Sequence, residues 1–131
     1  MNTVFKNIFY LLCLLNISCQ ASKTSDAIDD AYKKYQKGLI NEAMCLFDSA
    51  IKESSNNSAA YNGMGLCLKA KGDFKSAIDY YDTAISLKAM PVFYRNRGTA
   101  KQELALYQES NEDYSKCLTL NPKDYYARYN R

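Results

Sequence analysis

An all-α fold of stacked helical hairpins is predicted by three observations. Gly38, Ala43, Phe47 and Ala50 return as Gly72, Ala77, Tyr81 and Ala84, each 34 residues further on. Within each unit the apolar and small residues fall at i, i+3, i+4 and i+7 rather than in alternation, which is the spacing of a helix with one buried face. A glycine midway through the unit divides it into two helices, because glycine supplies the left-handed conformation that ends one. A fixed period of this length marks a repeat architecture, in which no unit buries its own hydrophobic face and neighbours must stack.

The chain opens with a different pattern. Residues 1–18 hold one cation, Lys6, then an apolar segment from Ile8 to Leu15, then Asn16-Ile17-Ser18 before Cys19. This is the layout of an export signal. Its apolar core falls well short of the roughly 20 residues that span a bilayer, and Gln20, Ser22, Lys23, Thr24 and Ser25 beyond it are polar. A cysteine just after the apolar core and a small residue resembles the lipobox of bacterial lipoproteins. That resemblance implies cleavage before Cys19, lipidation of Cys19 and a short linker over 19–24. The strict pattern has an aliphatic residue where Asn16 stands, with Leu15 one step back, so ordinary signal cleavage near Ala21 and an uncleaved anchor stay open. All three export the domain.

The helical array is expected over 25–131, in units of about 24–57, 58–90 and 91–124. The first unit carries Ala31 on its first helix, then Gly38, then Ala43, Phe47 and Ala50 on its second. In the middle unit Tyr61, Met64, Gly65 and Leu68 share one helix face. Lys71-Gly72-Asp73 breaks the helix, with Asp73 placed to cap the next, and Phe74, Ala77, Ile78, Tyr81, Ala84 and Ile85 stripe the second helix. Small residues at 65, 77 and 84 permit close approach, with Tyr81 filling the gap. The third unit follows at a shift of 33, with Ala105 in place of glycine, then Ser110, Tyr114 and Cys117. The missing residue is expected in the turn before Pro91. Residues 125–131, Tyr-Tyr-Ala-Arg-Tyr-Asn-Arg, read as a fourth unit begun: either a capping helix whose tyrosines cover the third hairpin or a fragment of a longer array.

Composition narrows the function. The 131 residues are 47% hydrophobic and 24% charged, which argues against disorder and against a membrane-embedded chain. There is no histidine, so Ser-His-Asp and Cys-His catalysis and His-ligated zinc are excluded. A net charge of +3 gives no concentrated basic patch for nucleic acid. Of five cysteines, Cys13 lies in the signal core and Cys19 is the candidate anchor. Cys45, Cys67 and Cys117 are odd in number and too widely spaced for a metal motif, so they are expected as buried free thiols. No catalytic residue, metal or cofactor is expected. Asp29-Asp30 and Glu112-Asp113 are consecutive pairs pointing about 100° apart on a helix and are expected on the solvated surface. Ser54 to Ser58 contains an Asn-x-Ser sequon but suits a turn.

These residues resemble the tetratricopeptide repeat. The middle unit matches its pattern at Tyr61, Met64, Gly65, Leu68, Ala77, Tyr81 and Ala84, with Ala89 where the family has proline. The third matches at Tyr94, Gly98, Ser110, Tyr114, Cys117 and Pro122, and Asn96-Arg97-Gly98 is a variant common in the family. The first keeps Ala31, Ala43, Phe47 and Ala50 but departs at Ala27, Asp30, Lys34 and Ser55. The resemblance implies a short right-handed superhelix, an α-solenoid, whose inner face is lined by the first helix of each unit. The implied groove positions are Ile28, Tyr32 and Tyr35, then Asn62, Leu66 and Lys69, then Arg95, Asn96, Thr99 and Gln102, with Tyr126, Tyr129 and Asn130 at the end.

Amide side chains, rings and an arginine suit an extended peptide, through backbone hydrogen bonds, apolar area and carboxylate pairing. Tyr32 and Tyr35 as ordinary core, and Arg95 and Arg97 as solvated surface, stay open as alternatives. The positions of the family's clamp for chaperone C-termini hold Ile28, Tyr32, Gly63, Val92 and Asn96, so Hsp70- or Hsp90-type tail binding is not expected. The functional expectation is an exported protein of the bacterial cell envelope, not an enzyme. It would be attached to the membrane only by lipid and would bind a protein or peptide on its first-helix face. Free periplasmic or secreted export is the alternative location, and a self-associating scaffold or homo-oligomer the alternative role.

Overall fold

Helices occupy nearly all of residues 25–131, the part of the chain that the computed structural model describes. The signal segment, Cys19 and the linker lie outside the described residues. α1 covers 25–36. It is followed by α2 (Ile40–Glu53), α3 (Ser58–Ala70), α4 (Phe74–Leu87), α5 (Pro91–Glu103), α6 (Tyr107–Leu120) and α7 (Tyr125–Asn130). Each helix packs on its sequence neighbours, and α3 also meets α5, so hairpins α1/α2, α3/α4 and α5/α6 stack into an array with α7 on its end.

The turns follow the sequence punctuation. Gly38 and Gly72 have φ of +76° and +81°, and Ala105 takes the same left-handed place at +59°. Asp73 caps α4 by accepting from the Ser76 N–H at 3.1 Å, while Asn57 and Asp124 cap α3 and α7 in the same way. Four residues, 54–57, join α2 to α3, and 121–124 join α6 to α7, but only 88–90 join α4 to α5. That is the expected deletion, and Pro91 at the first position of α5 fixes φ where no capping side chain is available.

Three fully buried rings, Phe47, Tyr81 and Tyr114, key the second helices to the first. A Cβ on Gly63 would stand 2.2 Å from Phe47 and one on Gly65 2.6 Å from Tyr81, so both glycines are bare because a ring lies on them. Cys67 and Cys117 are buried free thiols, pushed up to about 11 by loss of hydration. Cys45 differs from expectation and is exposed, because it lies off the Ala43, Phe47, Ala50 stripe of α2. Asp29 and Asp30 are exposed as expected. The tyrosines of α7 do not cover the third hairpin: Ala127 and Asp124 face inward, while Tyr125, Tyr126 and Tyr129 are 75%, 68% and 82% exposed.

Candidate functional site

The odd-numbered helices α1, α3, α5 and α7 carry every groove position, and a line of hydrogen bonds ties three of them together. The Tyr32 hydroxyl donates to the Ala59 carbonyl at 2.8 Å and accepts from Asn62 Nδ2 at 3.0 Å. Asn62 Oδ1 in turn accepts from Asn96 Nδ2 at 2.9 Å. Both asparagines are buried, and their pairing satisfies polar groups that would otherwise be costly to bury. The amides expected to meet a peptide backbone are thus engaged with one another and staple α1, α3 and α5.

The remaining positions divide into floor and rim. Ile28 lies in the first core cluster, and Tyr32 and Tyr35 pack against it half-buried, Tyr32 edge-on to Phe47 with ring centres 5.0 Å apart. Leu66 packs on the core around Tyr81. Thr99 donates to the Arg95 carbonyl, and Gln102 accepts from the Tyr114 hydroxyl at 2.8 Å while donating to the Asn130 carbonyl at 3.0 Å. Asn130 donates to the Tyr126 carbonyl. On the accessible rim stand Lys69, half-buried, and Arg95, whose Nη1 lies 2.9 Å from Asp124 and whose guanidinium sits 5.6 Å over the ring of Tyr126. Tyr126 and Tyr129 extend the rim onto α7.

Sequence reasoning missed one cluster. Asp113, expected on the solvated surface, is buried. It accepts from Arg97 Nε at 2.8 Å and lies 3.0 Å from Lys101 Nζ. Arg97 also reaches Asp82 at 2.6 Å, so it is not a solvated residue either. The carboxylates raise the guanidinium pKa further despite its burial. Asp124 was likewise not singled out. Although burial opposes ionisation, the Ala127 N–H and the Arg95 charge hold its carboxyl below the ordinary range. A signal existed for Asp113, since Ser110, Asp113, Tyr114 and Cys117 fall at i, i+3, i+4 and i+7 on the buried stripe of α6.

Residues 58–89 and 93–124 each match a family model of the tetratricopeptide repeat. Among curated relatives, human Tetratricopeptide repeat protein 6 is 27% identical over 103 residues, covering 79% of this chain and 20% of that protein. The Photosystem I assembly protein Ycf3 of Prochlorococcus marinus is 29% identical over 103 residues, covering 73% of this chain and 54% of Ycf3. The chain therefore spans between a fifth and about half the length of these relatives. Among solved structures, the Arabidopsis OM64 TPR domain superposes with a TM-score of 0.80 at 21% identity, over 85% of this chain and 93% of that one. The first TPR of Spaghetti (RPAP3), bound to the HSP90 peptide SRMEEVD, gives 0.78 at 20% identity over 82% and 86%. The Yersinia enterocolitica type III secretion chaperone SycD, in complex with a peptide of the translocator YopD, gives 0.74 at 17% over 82% and 83%.

Proposed function

We propose that this array of tetratricopeptide repeats is an interaction module that holds a peptide or protein segment on the face formed by α1, α3, α5 and α7. The observation that carries the reading is the rim itself: Lys69, Arg95, Tyr126 and Tyr129 stand accessible above a floor whose amides are already bonded and fixed. A rigid, prebonded floor with a few rim side chains free to make contacts suits recognition, because little ordering is needed on binding. RPAP3 and SycD, similar in fold, were solved with peptides. Enzyme chemistry has no comparable support, since the buried thiols of Cys67 and Cys117 are held protonated and no histidine exists to activate them.

The proposal extends to location. The signal-like segment and Cys19 support an exported domain tethered to the bacterial envelope by lipid, with soluble export as the alternative. The intact mass of protein recovered from the membrane fraction of a bacterial host tests this: Cys19 to Arg131 plus a diacylglyceryl group is expected, and a full-length or unlipidated product removes the tether.

Binding is tested by screening the purified full chain against an immobilised random-peptide library. Retention of a reproducible set of sequences is expected, with loss on Tyr126→Ser plus Tyr129→Ser while the helical circular dichroism is unchanged. The exposure of the same rings favours one second reading, a scaffold that pairs copies through α7. In that case the double change would convert an oligomer to a monomer in sedimentation and leave no peptide binding to lose.

A further inference from the structure

Two of the groove positions are charged, Lys69 on α3 and Arg95 on α5, and both are cations. Arg95 is met by Asp124 on one side, which orients it through Nη1. Lys69 makes no ion pair among the described residues, although Arg97, Lys101 and Arg95 all do. Burial, and then repulsion from Arg95, push the Lys69 ammonium below the ordinary lysine range, with Glu103 acting the other way. A half-buried cation beside a second cation has lost hydration without gaining a counter-charge.

Lys69 is also a departure within the repeat. Its counterpart 33 residues on is Gln102, which accepts the hydroxyl of the core ring Tyr114. Lysine has no acceptor, and the matching ring, Tyr81, has a buried hydroxyl with no partner. The position thus gives up an internal hydrogen bond to place a positive charge on the rim. Arg95 holds one edge of its guanidinium to Asp124 and lies over Tyr126, so its cationic plane and an aromatic surface are presented together.

We propose that the partner segment carries a carboxylate that docks at Lys69 and Arg95, with an adjoining side chain against Tyr126. This rests on the reading of the α1, α3, α5 and α7 face as the binding surface. It makes the partner an acidic segment. The carboxylate comes from an Asp or Glu side chain or from a chain terminus, and the test separates the two.

The experiment uses the full chain and fluorescein-labelled random decapeptide pools doped with Glu or with Gln, each prepared as free acid and as C-terminal amide, read by anisotropy. The Glu pools are expected to bind about tenfold tighter than the Gln pools, the size of one charge-assisted hydrogen bond. Lys69→Met should abolish that preference, whereas Lys75→Met on the exposed face of α4 should keep it. A preference shared by amide and acid forms assigns a side-chain carboxylate, and a preference for the acid forms alone assigns a terminus. Both support the docking site. Equal binding of Glu and Gln pools, or a preference that survives Lys69→Met, overturns it while leaving the binding face intact. Failure of every pool to bind overturns the face itself.

Discussion

Hairpins α3/α4 and α5/α6 share one backbone plan and hold it together by different means. At three matched positions, 33 residues apart, the first has Met64, Leu68 and Tyr80, which line a common apolar groove. The second has Arg97, Lys101 and Asp113, which form an ion-paired cluster. Other matched pairs follow suit. Ala77 is a small apolar contact, whereas Ser110 donates to the Gly98 carbonyl at 2.8 Å; the Tyr81 hydroxyl is unpartnered, whereas that of Tyr114 is bonded. The repeat constrains volume and helix register at these places and leaves the chemistry free, provided each buried polar group finds a partner.

The largest expected effect comes from breaking the ionic version. Asp113→Ala would leave Arg97 and Lys101, with side chains only 18% and 12% exposed, without their buried anion. Removing one partner of a buried pair costs about 3 kcal/mol, which should appear as a lower urea midpoint. The triple change Arg97→Met, Lys101→Leu and Asp113→Tyr, copying the middle hairpin, should recover most of that loss. If the triple variant is less stable than Asp113→Ala, the two hairpins are not interchangeable and the comparison fails.

Glycines give the next contrast. A Cβ at residue 65 would fall 2.6 Å from the Tyr81 ring, whereas one at residue 98 would meet Tyr114 at 3.1 Å and the Ser110 carbonyl at 3.3 Å. Gly65→Ala is expected to destabilise by about 2 kcal/mol through overpacking. Gly98→Ala should cost much less, since a few tenths of an ångström of relief suffices and alanine gains about 1 kcal/mol of helix propensity. Thermal unfolding of the two variants distinguishes them.

The sequence was read correctly where local rules act alone. Gly72 and Asp73 end one helix and cap the next because φ and a cap hydrogen bond are properties of a few adjacent residues. The repeat stripes placed Phe47, Tyr81 and Tyr114 inside for the same reason. What failed involved partners far apart in the chain. Asp113 sat on a buried stripe, yet the rule that carboxylates are solvated outweighed the periodicity, because its partner Arg97 is sixteen residues away. The Tyr32, Asn62 and Asn96 line was named as three groove positions, but that they bond one another depends on side-chain reach between helices, which spacing does not carry.

Hydroxyl pairing separates the two rings at a smaller scale. Tyr114→Phe removes the donor to Gln102 and should cost about 1 kcal/mol. Tyr81→Phe removes a hydroxyl that is buried without a partner, so it should be neutral or stabilising. A clear loss of stability in Tyr81→Phe, measured by denaturant titration, would mean that this hydroxyl is paired in solution.

The smallest effect lies in the turns. Gly72 and Ala105 occupy the same place with φ of +81° and +59°, a conformation that alanine adopts only against the close approach of its Cβ to the backbone. Ala105→Gly removes that strain but also loosens the unfolded chain, so the two terms partly offset. A net gain of about 0.5 kcal/mol is expected, while Gly72→Ala, which introduces the strain, should lose about 1 kcal/mol. Nothing lies within 4 Å of a Cβ built at Gly72, so packing does not enter and backbone conformation alone decides the sign. Opposite signs for the two substitutions would show that the third hairpin tolerates a strained turn that the second avoids. Equal signs would mean that neighbouring contacts, and not φ, set the energy of both turns.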